Sequence, residues 1–147
     1  YSFSNFVVLP AQNFMNKAEF AKILVEELGI QPYVDGNPYF VDLQEDVWFS
    51  PYVKTLLNRG IIKPEKNYNP ADFVTRAYAA EALVEALGLK FKLADGAPHF
   101  SDVPRENPSF YAVETLYSSG QLSNFGPAFM PDNPASRSFL QFFLKQK

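Results

Sequence analysis

The sequence predicts an all-α protein built from helix-loop-helix repeats. Two observations lead to this prediction: apolar residues recur at helical spacing in several stretches, and a set of short phrases returns about sixty residues further along the chain. The 147 residues are 47% hydrophobic, which is enough for a core of ordinary size. We therefore expect one domain over residues 1–147 whose repeats bury their apolar faces against one another.

The first predicted helix runs from about Asn16 to Leu28. Asn16 is followed three residues later by Glu19, which is the capping-box pattern, and Gly29 closes the helix. A turn-rich connector follows over residues 31–39.

A helix of a second type precedes Arg59, with apolar residues at helical spacing. Ser50 followed by Pro51 is typical of a cap and a first-turn proline, and a start one turn earlier at Asp46 fits the pattern equally well. The sequence does not decide between these two starts.

The phrases of the middle of the chain are repeated downstream. The pairs are Phe40-Val41-Asp42-Leu43 with Phe100-Ser101-Asp102-Val103, Gly60 with Gly120, Tyr68-Asn69-Pro70 with Phe129-Met130-Pro131, and Thr75-Arg76 with Ser136-Arg137. A fixed period of this length is the signature of a repeat array. We divide the chain into a partial repeat over 1–30 that lacks its first helix, and repeats over 31–89 and 90–147. The start at Tyr1 suggests a mature or excised piece.

Three helices open with a capping residue and then a base: Asn16-Lys17, Thr75-Arg76 and Ser136-Arg137. Unpaired backbone N–H groups and the positive end of the helix dipole favour an anion at such a position, so a base is unexpected there. The bases would either hold a bound carboxylate, with helix N-termini adding N–H donors, or pair with acidic residues of the neighbouring repeat such as Asp42 or Asp102.

Taken together, these phrases resemble the S-layer homology domain of bacterial cell-surface proteins. That family's repeat has F-x-D-V, a Trp-led helix, G-I, a loop with F-x-P, then T-R-A-E and a helix ending L-G-L. The middle repeat matches it with Phe40-Val41-Asp42-Leu43, Trp48, Gly60-Ile61, Tyr68-Asn69-Pro70, Thr75-Arg76-Ala77-Tyr78 and Leu87-Gly88-Leu89.

The resemblance implies helix pairs in a pseudo-threefold arrangement and a non-catalytic anchor on the outside of a bacterial cell. Such domains bind a secondary cell-wall polysaccharide linked to peptidoglycan, often through a pyruvate ketal that the Arg of T-R-A-E helps to hold. By this resemblance the ligand-binding residues are Arg76, Arg137 and Lys17, with Thr75 and Ser136 beside them. No cofactor is implied.

The chain departs from that pattern at several positions. Lys17 replaces the first Arg, which keeps the charge but loses the bidentate fork. Pro108 stands where the third repeat would have its Trp. The acid of T-R-A-E survives only as Glu19, and Tyr78 and Phe139 take its place in the other repeats.

Trp48 is the predicted sugar-stacking residue, because an aromatic ring matches the apolar face of a pyranose. The alternative is that Trp48 wedges between helices. Asp42 and Asp102 are interpreted as caps or turn formers rather than catalytic acids.

Composition excludes several classes. The net charge of −3 argues against nucleic acid, and there is no apolar run of about 18 residues for a membrane span. With no cysteine and with His99 as the single histidine, neither a nucleophilic triad nor a thiolate or histidine metal site can be assembled. No pair of acids is singled out for glycosidase chemistry, so we predict no enzyme. The rival hypothesis is a helical scaffold that binds another protein chain at the open first repeat.

Overall fold

A computed structural model describes residues 14–33, 39–90, 93, 96–120, 122 and 126–144. Within these ranges the chain forms five α-helices: α1 Lys17–Leu28, α2 Ser50–Asn58, α3 Arg76–Ala86, α4 Phe110–Ser118 and α5 Arg137–Leu144. Extended pairing in the same ranges is confined to three isolated bridges. The prediction of an all-α fold is therefore confirmed. The division into units 1–30, 31–89 and 90–147 stays a prediction, and residues 1–13 of the first unit lie outside the description.

Helix α1 begins and ends where the sequence predicts. The side chain of Asn16 accepts a hydrogen bond from the Glu19 N–H (2.8 Å), and Glu19 Oε1 accepts one from the Asn16 N–H (3.1 Å). Gly29 ends the helix with φ 70°, a left-handed conformation that glycine adopts at little steric cost. The capping box is therefore confirmed.

Helices α2 and α4 begin without a side-chain cap. The N-cap of α2 is Phe49, and Ser50 is already the first helical residue with its side chain buried, so the prediction that Ser50 caps the helix is wrong. Helix α4 starts after Ser109, whose hydroxyl instead donates to Glu81 on α3 (2.5 Å). Neither start has a side-chain cap, although at α4 the Ser109 N–H donates to the side chain of Asn107 (2.8 Å).

The helices that pack closely together belong to successive repeats, α1 against α2 and α3 against α4. Leu24 of α1 and Leu56 of α2 are fully buried, as are Leu83 of α3 and Leu116 of α4. In the predicted division, the second and third units therefore each bury apolar residues against the unit before them, as an array would.

Two aspartates hold corresponding loops in the second and third units. Both oxygens of Asp42 accept backbone N–H groups, one from Tyr68 and one from Asn69, each at 2.8 Å. Asp102 accepts the N–H groups of Phe129 (2.9 Å) and Met130 (2.8 Å) in the same way. The prediction that these aspartates form turns is confirmed, because each one ties the turn before one helix (α2 or α4) to the loop before the next helix (α3 or α5).

Three capping segments, 14–16, 73–75 and 134–136, lead into α1, α3 and α5 and pair with one another in a ring. The bridges join Phe14 to Ser136, Asn16 to Phe73, and Thr75 to Pro134. Each segment thus contacts both of the others, and the first unit touches the third although they are far apart in sequence. This cyclic pairing supports a pseudo-threefold arrangement, which stays a prediction for the chain as a whole.

Candidate functional site

The predicted capping hydroxyls are used within their own helices. Thr75 Oγ1 accepts the N–H of Tyr78 (3.1 Å), and Ser136 Oγ accepts the N–H of Phe139 (3.0 Å). In both cases the acceptor lies three residues before the donor, which is the usual N-cap geometry.

The backbone N–H groups at the start of α1 and α3 are occupied as well. In α1 the Lys17 N–H donates to the Asp72 carbonyl (2.9 Å). In α3 the N–H groups of Arg76 and Ala77 donate to the carbonyls of Asn133 and Pro131, each at 2.9 Å. The prediction that these helix N-termini offer N–H donors to a ligand is wrong, because the loop of the next unit has already taken them.

The three bases reach the next unit in a regular pattern. Among α1, α3 and α5, taken cyclically, each base approaches the third residue of the next helix. Lys17 approaches Tyr78, Arg76 approaches Phe139, and Arg137 approaches Glu19. This is the position that T-R-A-E fills with an acid. The sequence marks the position as altered, but it does not indicate that the position is the partner of the base in another unit.

Each base and the residue that it approaches form one corner of the ring of units. The chemistry of the contact differs at each corner. Arg137 Nη2 lies 3.2 Å from Glu19 Oε2, and both side chains are more than one third exposed. The Arg76 guanidinium lies 5.2 Å from the ring centroid of Phe139. Burial lowers the pKa of Arg76, and the Asp102 carboxylate opposes that shift. Arg76 Nη1 also donates to the Phe129 carbonyl (2.9 Å).

Lys17 is held between two aromatic rings. Its Nζ lies 4.7 Å from the ring centroids of both Tyr68 and Tyr78, within the range of a cation–π contact. Burial lowers the pKa of Lys17, while the nearby carboxylates of Glu65 and Asp72 raise it in part. Burial outweighs these carboxylates, which together with the two rings offset only part of the cost of burying the charge.

The two tyrosines beside Lys17 are themselves fixed. Tyr68 is fully buried, and its hydroxyl donates to the backbone carbonyl of Lys17 (2.8 Å). Burial raises the pKa of both phenols, and the carboxylates of Glu65 and Glu81 raise that of Tyr78 further. Both phenols stay neutral at ordinary pH.

A groove of about 210 Å³ opens beside this cluster. One wall is α3, and the start of α4, the loop after α2, the first residue of α1 and the turn before α2 contribute the rest. The groove is lined by Lys17, Phe40, Gly60, Ile61, Ile62, Lys63, Glu65, Asn67, Tyr68, Tyr78, Glu81, Ala82, Val84, Glu85, Pro108, Tyr111 and Ala112. Rings, two ammonium groups and three carboxylates therefore face one space.

Of the predicted site residues, Lys17 lines this groove. The others lie outside its walls: Arg76, Arg137, Thr75, Ser136 and Trp48. The ring of Trp48 is 56% exposed and meets Phe49 edge to face (5.2 Å), so the alternative that it wedges between helices is wrong.

Sequence reasoning missed the groove's tyrosines as site residues. In the sequence, Tyr68 is part of a repeated loop phrase and Tyr78 is a departure from T-R-A-E, and neither pattern indicates a binding site. No sequence pattern indicates Tyr111. Their convergence depends on packing between units.

His99 has a partner that the sequence did not indicate. Its backbone N–H and ring Nδ1 both contact the carboxylate of Glu114, at 2.7 Å and 2.6 Å, and Glu114 is fully buried. The imidazole stacks on Tyr117, with 3.9 Å between centroids. The histidine thus joins its connector to α4 and lies apart from the groove.

Two features are absent from the described residues. None of their helices is both long and apolar enough to cross a membrane. No group of three or more acidic or histidine side chains among them is placed to hold a metal ion.

Residues 39–80 match the family model of the S-layer homology domain. Over 135 residues, 90% of this chain, the sequence is 27% identical to a protein of Bacillus anthracis described as an uncharacterized cell wall amidase. Over 83 residues, 53% of this chain, it is 30% identical to a surface layer protein of Brevibacillus choshinensis. The matched segments make up 25% and 7% of those relatives, so the chain corresponds to a minor part of each.

Proposed function

Because the chain contains an S-layer homology domain, we propose that it is a non-catalytic module that anchors a protein to the bacterial cell wall. Its relatives include a surface layer protein and a protein described as a cell wall amidase, which supports a location at the cell surface or wall. The partner is a secondary cell-wall polysaccharide linked to peptidoglycan.

The observation on which this proposal rests is the groove beside Lys17. Carbohydrate sites combine aromatic surfaces with a few polar groups that fix orientation. Here the half-exposed ring of Tyr111 provides such a surface, and Lys17 and Lys63 provide donors. The fixed rings of Tyr68 and Tyr78 keep Lys17 in place, so the donor is ordered before a ligand arrives.

We also propose that the polysaccharide is anionic and carries an acidic substituent such as a pyruvate ketal. In the groove, Lys63 is the exposed cation that can pair with a carboxylate, with Lys17 behind it. At the other two corners Arg76 with Thr75, and Arg137 with Ser136, remain candidates, and Trp48 remains a candidate for stacking on a sugar. Their contacts between units mean that any ligand would share these arginines with Phe139 and Glu19.

The test is sedimentation of the purified protein with bacterial sacculi, with and without their secondary polysaccharide. We expect binding only to the untreated sacculi. The double change Lys63→Ala with Tyr111→Ala should weaken binding about tenfold or more, the equivalent of about 1.4 kcal/mol. The matched control is Lys90→Ala with Phe142→Ala, which removes an exposed lysine and a ring of equal exposure outside the groove.

Three results would contradict the proposal. They are equal binding to stripped sacculi, no binding to untreated sacculi, and equal losses for the groove and control variants. The arginine corners need a separate pair, Arg76→Ala with Arg137→Ala. Its binding loss must be compared with its loss of unfolding free energy, because both side chains also join units.

A second candidate function is a scaffold that binds protein, which the exposed apolar side chains favour. Val41 is 73% exposed, Phe73 63% and Tyr39 59%. Solution mass measured by light scattering separates the two functions. A concentration-dependent oligomer that Phe73→Ser dissolves would support the scaffold, and a monomer at all concentrations would contradict self-assembly.

A further inference from the structure

The groove described above has an acidic side that the anchoring proposal does not use. Glu81 and Glu85 lie one turn apart on α3 and both line it. Glu65 lines it from the loop after α2. Among the lining residues there are thus three carboxylates and two ammonium groups.

Protein groups already surround the ammonium group of Lys17. Lys17 lies against two rings, and the carboxylates of Glu65, Asp72 and Asp42 are close enough to stabilise its charged form. Lys63 alone cannot neutralise Glu81 and Glu85 as well. Negative charge therefore remains on the α3 wall.

Helix α3 bears these carboxylates at a cost. Like charges four residues apart on a helix repel each other. Glu85 also occupies the last turn of α3, where the negative end of the helix dipole disfavours an acid, and that turn contains no base. Residues that lower the stability of their own helix in this way often bind a ligand.

Within the described part of the chain, neither Glu81 nor Glu85 forms an ion pair. Glu81 accepts a hydrogen bond from the Ser109 hydroxyl (2.5 Å), which fixes that carboxylate in the wall. Pro108 and Tyr111, at the start of α4, line the same groove, and the exposed ring of Tyr111 can lie against a sugar face.

From this charge distribution we infer that the groove recognises a free amino group on the glycan, such as that of a 2-amino-2-deoxy sugar, between Glu81 and Glu85. The inference rests on the proposed function and specifies its ligand: a glycan with an ammonium group in addition to any acidic substituent. Protonated amines form charge-assisted hydrogen bonds to carboxylates, whereas an N-acetyl group is neutral and bulkier.

The experiment compares sacculi that retain their polysaccharide with the same sacculi after N-acetylation by acetic anhydride. The wild-type protein should bind the acetylated sacculi at least about tenfold more weakly. Glu81→Gln with Glu85→Gln should lose binding to untreated sacculi by a similar factor and should not distinguish the two preparations. Glu27→Gln, an exposed change on α1, is the matched control and should behave like the wild type.

The outcomes separate the inference from the function. Equal wild-type binding to both preparations overturns the inference and leaves the anchoring function standing. So does normal binding of the double glutamine variant to untreated sacculi. Absence of wild-type binding to untreated sacculi contradicts the anchoring function itself. Circular dichroism should show unchanged helix content in the double variant, because glutamine keeps the shape and removes the like-charge pair.

Discussion

Asp42 accepts backbone hydrogen bonds from Tyr68 and Asn69, and we call this pair of contacts the Asp42 clasp. Its removal should give the largest loss of stability that we expect from a single substitution outside the core. Replacing Asp42 by Ala leaves the N–H groups of Tyr68 and Asn69 without their acceptor. Hydrogen bonds to a charged group contribute about 1.5–3 kcal/mol each, and Asp42 is exposed, so water recovers part of that loss. We expect unfolding free energy to fall by about 2 kcal/mol, or roughly 4–8 °C in Tm for a chain of this length.

Thermal and urea unfolding measure this loss, with Asp46→Asn as the control because Asp46 is exposed on the same turn-rich segment. Asp42→Asn keeps one acceptor oxygen and should lose about half as much. A loss for Asp42→Ala within about 0.5 kcal/mol of the control, the usual range for surface changes, would refute the clasp.

The same clasp predicts a pH dependence. Burial acts to raise the pKa of Asp42, but hydrogen bonds from Tyr68 and Asn69 and the charge of Lys17 outweigh it, so the folded pKa lies below its ordinary value of 3.8. A depressed folded pKa contributes stability above the unfolded value and loses it as the pH falls through the folded value. The gap between wild type and Asp42→Asn should therefore be constant near neutrality and shrink below about pH 3.8. A constant gap down to pH 2 would contradict this reasoning.

Three further predictions concern the ring of units and the core. Glu19→Gln keeps an oxygen that can accept the Asn16 N–H but breaks the half-exposed ion pair with Arg137, so it should lower the free energy of unfolding by about 0.2–1 kcal/mol. A double-mutant cycle with Arg137→Gln should assign that loss to the pair. Met130→Asn should stabilise by about 0.5–1 kcal/mol in urea unfolding, because Met130 is left-handed (φ 60°) and exposed, and the equivalent Asn69 has φ 58°; a destabilised variant would contradict this. Leu83→Ala should cost about 2–5 kcal/mol by leaving a cavity, and a loss under about 1 kcal/mol would contradict its complete burial.

Helix ends were predictable from sequence where the groups that form their hydrogen bonds lie within a few residues of one another. The Asn16–Glu19 capping box and the glycine end of α1 need only neighbouring residues, and both form as expected. The start of α2 could not be predicted in this way, because its N-cap residue is Phe49, whose side chain cannot cap a helix.

The candidate site was predictable only in part, because its partners come from other units. The sequence shows a base after each capping residue, but it does not show that the adjacent backbone N–H groups already have acceptors. The carbonyls of Asp72 and Asn133 close two of those positions. No local pattern shows that Arg137 meets Glu19, 118 residues away along the chain. That pairing follows only from the ring of capping segments.

The three corners differ in whether an acid neutralises the base. At one corner the family's acid survives, and the base forms an ion pair with it. At the other two, Tyr78 and Phe139 replace the acid, and a ring accepts the cation instead. A cation on a ring is attracted without being neutralised. Near Lys17, the carboxylates of Glu65 and Asp72 supply part of the missing countercharge, and Glu81 and Glu85 on α3 are the acids that we propose to bind an amino group of the glycan. The loss of an acid at one helix position is thus linked to the charge of the neighbouring groove.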